Sequence, residues 1–230
     1  MHRTEMTPLR PGTAFFITGT DTEVGKTLVT CALLHAARQQ GRTAVGMKPV
    51  AAGTDDTGLN EDVERLTAAS SFDAAPELVN PYCFTSPIAP HIAAAETGQA
   101  IDLEVIRAAF EKLSAQADFT LVEGAGGFLV PLGETLDTAD LAVHLNLPVI
   151  LVVGMRLGCI NHARLTAAAI LERGLTLAGW VANNIDPAMS RRAENIAALV
   201  DRLPAPLLGV LPYQTKHEPA AIAHLLQIPT

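Results

Sequence analysis

Short apolar runs alternate along this chain with longer segments whose apolar residues recur every three to four positions. Thr13–Thr18 (TAFFIT) is rich in β-forming residues and predicts a strand. A polar, glycine-bounded stretch follows. Lys26–Gln40 then carries Leu28, Ala32, Leu33 and Ala36 at the spacing of one helix face, and Gly41 marks its end. Ala44–Val50 predicts a second strand, and strand–helix–strand in that order gives a parallel, right-handed unit. Later strands are expected at Phe119–Glu123, Pro148–Val153, Gly179–Asn183 and Leu207–Leu211. Helices are expected at Asp62–Ala69, Leu103–Ala115, Asp137–Leu145, Asn161–Arg173, Arg191–Leu203 and Glu218–Leu226. This alternation is that of an α/β fold, a doubly wound, mostly parallel sheet with helices on both faces.

Between these elements, Gly53–Leu59 reads as a polar loop, and Ser70 to Pro90 as an irregular, proline-punctuated crossover. Neither divides the chain, so residues 1–230 are expected to form one domain, with 1–12 as a flexible N-terminal extension. Composition sharpens the picture in three ways. Apolar residues make up 49% of the 230 and aromatics only 4%, so Ala, Val, Leu and Ile must fill the core, as suits helices on parallel strands. Sixteen Lys and Arg against 24 Asp and Glu give a net charge of −8 without a basic cluster, which argues against nucleic-acid or anionic-membrane partners. The three cysteines (Cys31, Cys83, Cys159) are too scattered for a disulfide framework or zinc site and suit a reducing compartment. Met1–Pro11 lacks the apolar core of a secretory signal, and the apolar stretch near Leu147–Met155 falls short of the ~20 residues that span a bilayer. A cytoplasmic protein is expected.

The first candidate chemistry lies between the first strand and the first helix. Gly19-Thr-Asp-Thr-Glu-Val-Gly25-Lys26-Thr27 is a phosphate loop in the required context, after a strand and opening a helix. Loop N–H groups and the helix start would cradle phosphate oxygens, Lys26 would reach the β and γ phosphates of ATP, and the Thr27 hydroxyl would coordinate Mg²⁺. Five residues, not the usual four, separate the outer glycines. Asp21 stands where partition-type ATPases of this fold carry a second lysine, which argues against that branch of phosphate-loop NTPases.

Three further residues fall where such a site needs them. Lys48 ends the second strand, and ligands of open parallel sheets gather at the carboxyl ends of strands. A lysine snorkelling from a strand end gives the same pattern. Glu123 appears where an apolar strand exits, followed by Gly124, Ala125, Gly126 and Gly127, which allow close backbone approach. That is the Mg²⁺-side position of phosphate-loop enzymes, though a solvated glutamate at a turn would look alike. Asp62, in Asn60-Glu-Asp-Val-Glu64, reads on its own as a helix-start acid.

At these residues the chain closely resembles the dethiobiotin synthetase family. The resemblance rests on Thr18–Thr27 (TGTDTEVGKT), Lys48–Val50 (KPV), Asn80-Pro-Tyr, Pro90-His-Ile, Leu121–Gly127 (LVEGAGG), Leu157–His162 (LGCINH), Gly179–Asn183 (GWVAN) and Ala205–Gly209 (APLLG). It runs from Phe15 to about Tyr213. It implies a homodimeric enzyme that carboxylates 7,8-diaminopelargonic acid with CO₂ to a carbamate. ATP then phosphorylates that carbamate, and the second amine closes the cyclic urea.

The same resemblance implies roles. Lys26, Lys48 and Thr22 would act at the reacting groups, with Thr27, Asp62 and Glu123 on Mg²⁺. The nucleotide would be contacted by Glu23, Val24, Gly25, Lys26, Thr27, Leu28, Asp62, Glu123, Gly124, Ala125 and Gly126, with Asn183, Asn184, Pro212, Tyr213 and Gln214 around the base. The diamine would meet Thr22, Lys48 and the segment Gly158, Cys159, Ile160 and Asn161. That segment precedes the expected helix Asn161–Arg173 and would hold the distal carboxylate at the subunit interface. Cys159 is read as packing, and His91 and His162 as structural. Ala52 replaces a frequent serine, removing one substrate hydrogen bond worth about 0.5–1.5 kcal/mol. The tail after Gln214 matches poorly, which leaves Glu218 without a role.

Two rival readings use the same loop. An amide-forming synthetase of this fold, such as a cobyrinate amidating enzyme, would add a glutaminase domain with a nucleophilic cysteine, for which the chain is expected to be too short. An ATP-dependent switch that recruits partners predicts ATP turnover without a small substrate.

Overall fold

The computed structural model describes residues 12–229, so all but Gly12 of the expected N-terminal extension lies outside the described residues. Six strands form one wholly parallel sheet: β1 (Thr13–Gly19), β2 (Ala44–Met47), β5 (Phe119–Gly127), β6 (Val149–Met155), β7 (Leu177–Asn184) and β8 (Leu207–Leu211). Their order is β2-β5-β1-β6-β7-β8. The chain winds first to one side of β1 and then to the other, so the loops leaving β1, β5 and β6 meet at the carboxyl edge, where such sheets bind ligands.

Each face of the sheet has its own core, and alternation along β1 shows why. Phe15 and Ile17 pack with Leu28, Ala32 and Leu33 of α1 (Lys26–Gln39) and with Leu66 of α2 (Glu61–Ala69). Phe16 points the other way, into the cluster with Ile106 and Leu113 of α5 (Leu103–Ser114), Leu141 of α6 (Thr138–Leu145) and Ile170 of α7 (Cys159–Glu172). Successive side chains on a strand face opposite sides, so a double-faced core needs an uninterrupted apolar run. β6 (VILVVGM) is that run, buried at every position. Burying each such Val, Ile or Leu contributes roughly 1.5–3 kcal/mol.

The expected strands and helices are present, with shifted ends and four departures. The single strand expected over Ala44–Val50 is broken. β2 stops at Met47, and β3 (Val50–Ala52) pairs elsewhere. Pro49 has no N–H to give a ladder and disfavours helical backbone at Lys48 before it. The Lys48 N–H instead donates to the Val79 carbonyl at 2.8 Å, and the Pro49 carbonyl accepts from the Tyr82 N–H at 3.0 Å. The expected irregular crossover holds α3 (Pro76–Val79) and β4 (Tyr82–Phe84), and β4 pairs in parallel with β3 as a second, two-stranded sheet. After it comes an unforeseen helix, α4 (Pro90–Thr97). The last expected helix, Glu218–Leu226, shortens to α9 (Pro219–Ile222) plus one 3₁₀ turn. Among the described residues no helix is long and apolar enough to cross a membrane.

Candidate functional site

The phosphate loop leaves β1 at Gly19 and enters α1 at Lys26. Two of its residues take left-handed backbone, Glu23 (φ 59°) and Gly25 (φ 83°). Glycine does this freely, whereas the Glu23 conformation costs energy and marks a constrained turn. Val24 holds the turn down. It is fully buried, and a Cβ on Gly154 of β6 would stand 2.8 Å from its Cγ1. The Val24 carbonyl accepts from Asn183 Nδ2 at 2.8 Å. No side chain caps α1, so its first-turn N–H groups remain free for an anion.

Three cationic or hydroxyl groups and two carboxylates meet beside this turn. The Thr27 hydroxyl lies 2.7 Å from Asp62 Oδ1 and 2.9 Å from Glu123 Oε1. The Lys48 ammonium donates to Glu123 Oε1 at 2.7 Å, Asp62 Oδ2 at 3.1 Å and the Gly124 carbonyl at 3.4 Å. Glu123 is fully buried at the β5 position paired with Ile17. The Pro49 break turns Lys48 out of the β2 ladder and toward it. Lys26 donates to the Asp21 carbonyl at 3.1 Å.

Electrostatics separate the two lysines. Burial lowers the Lys26 pKa to about 8, and the neighbouring Lys48 charge pushes it the same way. Burial alone would lower Lys48 too, but Glu123 and then Asp62 hold its pKa above the ordinary lysine value. Asp62 responds in kind. Burial would raise its pKa, yet Lys48 and the Thr27 hydrogen bond bring it below the usual carboxylate range.

The oxygen set fits a divalent cation. The Thr27 hydroxyl has one proton between Asp62 Oδ1 and Glu123 Oε1, both within 2.9 Å, and a hydroxyl clustered with two carboxylates is a set of hard oxygen donors suited to a hard cation. Two carboxylates and a hydroxyl are too few for a cage built by protein alone. That suits Mg²⁺, which takes its remaining ligands from phosphates and water.

Around this centre the other expected residues fall in three places. Gly124, Ala125 and Gly126 form a bulge, because Ile17 and Gly19 of β1 pair with Glu123 and Gly127. Gly126 (φ 63°) brings the bulge over the loop, where a Cβ on it would lie 3.5 Å from Thr22 Oγ1. Thr22 itself is exposed, and its N–H donates to Asp21 Oδ1 at 2.8 Å. Asn183 and Asn184 end β7 and are buried, with Asn184 Oδ1 lacking a partner. β8 pairs Leu211 with Asn183, which sets Pro212, Tyr213 and Gln214 just beyond it. Leu28 is buried in the first turn of α1.

The third place is the start of α7, where the structure corrects one expectation. The helix begins at Cys159, so Cys159, Ile160 and Asn161 form its first turn and do not precede it. Gly158 (φ 96°) is the turn residue before it. Cys159 is buried and Asn161 exposed, so the thiol packs inward while the amide faces out.

Arg156, absent from the sequence-based set, ties this end of β6 to the phosphate loop through an ion pair with Asp21. Thr30, also absent from it, donates to Glu123 Oε2 at 2.6 Å. A second hydroxyl, one turn beyond Lys26 among buried apolar residues of α1, was the available signal, but its partner lies 93 residues away. A cleft of about 630 Å³ opens beside Asp62, lined also by Asp55, Asn60, Glu64 and Pro87. Behind Thr27 and Leu28 lies a smaller cavity of about 170 Å³ bordered by Cys31, His35, Arg65 and His217.

Comparison with known proteins adds to this geometry. Residues 13–221 match a family model described as an AAA domain. Over 94% of its length the chain is 63% identical to the ATP-dependent dethiobiotin synthetase BioD of Aromatoleum aromaticum, covering 97% of that protein. It is 57% identical over 94% of its length to the protein of the same name from Nitrosospira multiformis, covering 96% of it. Among solved structures, the MinC:MinD cell division protein complex of Aquifex aeolicus contains a chain that superposes with a TM-score of 0.54 at 15% identity, covering 93% of this chain and 89% of that one. That likeness is one of fold alone.

Proposed function

Because the chain belongs to the ATP-dependent dethiobiotin synthetase family, we propose that it makes dethiobiotin for biotin biosynthesis from 7,8-diaminopelargonic acid, CO₂ and ATP. One amine adds to CO₂ and loses a proton, giving a carbamate. A carbamate oxygen attacks the γ-phosphorus of ATP and ADP departs, leaving a carbamic–phosphoric anhydride. The second amine attacks the carbamoyl carbon and expels phosphate, and the cyclic urea is closed. The enzyme is thus a cyclo-ligase.

One observation carries this reading: Thr27, Lys48, Asp62 and Glu123 converge within 2.7–3.1 Å beside the phosphate loop. Carbamate and γ-phosphate are both anions, so joining them needs concentrated positive charge at a fixed place. Lys48 supplies it at the transferred group and Lys26 at the β and γ phosphates. Mg²⁺ held by Thr27, Asp62 and Glu123 would neutralise charge on the phosphate oxygens. Thr22, beneath the Gly126 bulge, meets the carbamate end. Ring closure is intramolecular, and a bound, oriented diamine gains an effective concentration on the order of 10⁵ M or more. The purine lies between the ends of β7 and β8, against Asn183, Asn184 and Pro212–Gln214. The distal carboxylate sits at the first turn of α7 across a homodimer. Leu157, 93% exposed just before that turn, is an apolar side chain that a partner subunit would cover.

An omission assay tests the reading. ADP release is followed with the diamine, bicarbonate and Mg²⁺, each left out in turn, and the product is identified by mass. All three must be required, and the product must be a cyclic urea. Turnover that ignores the diamine would favour the ATP-dependent switch.

A further inference from the structure

Glu123 is held at both carboxylate oxygens, and each side has a different source. Oε1 faces Lys48 at 2.7 Å and Thr27 at 2.9 Å, the groups already placed at the reacting centre. Oε2 faces away from them, to the Thr30 hydroxyl at 2.6 Å. Thr30 and Glu123 are both fully buried. The same hydroxyl lies 2.9 Å from the Lys26 carbonyl one turn back, so its single proton is shared in a three-centre arrangement. No part of the reaction above uses Thr30.

We infer that Thr30 is the positioning residue that fixes the rotation of the Glu123 carboxylate and so sets the affinity of the cation site. This inference rests on the metal role proposed for Glu123. A carboxylate with one bonded oxygen can turn about its terminal bond, whose torsional preference is broad. With Oε2 anchored by Thr30, Oε1 is left aimed at Thr27, the shared edge of the cation site. Hydrogen bonds that orient a metal ligand in this way typically affect metal affinity 10–100-fold. The anchor comes from the helix that carries Lys26 and Thr27, so the phosphate-binding turn and the acidic ligand from β5 are set by one rigid element.

The test uses the full chain with Mn²⁺ as the probe, free ion being read by its EPR signal in the presence of ADP and inorganic phosphate. Thr30→Val keeps the volume and removes the hydroxyl. Its expected Mn²⁺ dissociation constant is roughly 10–100-fold above the wild-type value. Metal-free ADP affinity should stay within about twofold, and Thr30→Ser should bring Mn²⁺ affinity back to within about threefold, since the serine hydroxyl still reaches Oε2. Thr30→Ala carries the same expectation as Thr30→Val if the valine variant fails to fold by circular dichroism. Mn²⁺ affinity unchanged in Thr30→Val, a parallel loss of metal-free ADP affinity, or no rescue by serine would each overturn the inference. A wild-type protein that binds no Mn²⁺ with ADP would instead overturn the metal role of Glu123 on which it stands.

Discussion

Lys48 and Glu123 meet at 2.7 Å with both side chains out of solvent, the lysine 6% exposed and the glutamate 0%. Asp62 approaches the same ammonium at 3.1 Å from a more open side. Without the ammonium, a fully buried carboxylate and a partly open one would be left sharing the Thr27 hydroxyl.

That relationship gives the first prediction. Lys48→Gln is expected to lower turnover at least 100-fold while changing ATP affinity less than about fivefold, the outcome that follows from the proposed role of the ammonium where charge builds up in the transition state. Rapid-quench kinetics and equilibrium nucleotide titration separate the two. Equal losses would place Lys48 on ground-state phosphates. Removing one partner of a buried pair costs about 3–5 kcal/mol, so metal-free Lys48→Gln should also melt well below wild type. Mg²⁺ should restore part of the lost melting temperature, which calorimetry would detect.

Glu123→Gln keeps shape and removes charge. The Mg²⁺ concentration for half-maximal activity should rise roughly 10–100-fold at saturating ATP. An unchanged Mg²⁺ response would remove Glu123 from the cation site.

Lys26 gives a pH dependence. Its folded pKa of about 8 lies below the ordinary 10.5. Between these values the unfolded chain holds a proton that the folded chain has released, so this lysine makes stability rise with pH across that window. Bound phosphates would restore the ammonium. At pH 8, nucleotide binding should therefore take up a sizeable fraction of a proton. Titration calorimetry in buffers of different ionisation enthalpy measures it, and zero uptake would place the Lys26 amine away from phosphate.

Gly25 lies at φ 83°, and a Cβ there would stand 2.2 Å from Asn183 Nδ2. Gly25→Ala should cost nucleotide affinity by breaking the bond from Asn183 to Val24, with far-UV dichroism unchanged. Retained affinity would show that the loop does not depend on that amide.

The cysteines should differ in reactivity. Burial pushes the Cys31 thiol up to about 12, with Glu123 adding to the effect, and Cys159 is also buried. Cys83 is exposed. A thiol-exchange reagent should label one cysteine in the native protein and all three in denaturant. Prompt native labelling of Cys31 would contradict the packing of α1 against α2.

The parallel sheet was legible because double-faced strands need continuous apolar runs, and β6 supplies the plainest one. The phosphate loop was legible because strand, glycine turn and lysine are contiguous. Asp62, Lys48 and Glu123 were not joined by any local pattern. Asp62 alone reads as an ordinary helix-start acid, and family resemblance raised it. Thr30 and Arg156 stayed hidden because each acts through a partner more than 90 residues away. β4 and α4 escaped because three residues paired with three carry almost no periodicity, and Pro90 at the start of α4 reads equally as a loop breaker.

The break at Pro49 makes one short stretch of backbone serve two sheets. Met47 is the last rung of the large sheet, and Val50 the first of the small one. Lys48 is the joint between them, tied by its N–H to Val79 and through Pro49 to Tyr82. A defect in the remote pair of strands would therefore tilt the lysine that holds Glu123 and Asp62 together beside the phosphate loop. A variant at Phe84, far along the chain from the glycine turn, would then present in an assay as a chemical lesion while nucleotide still binds normally.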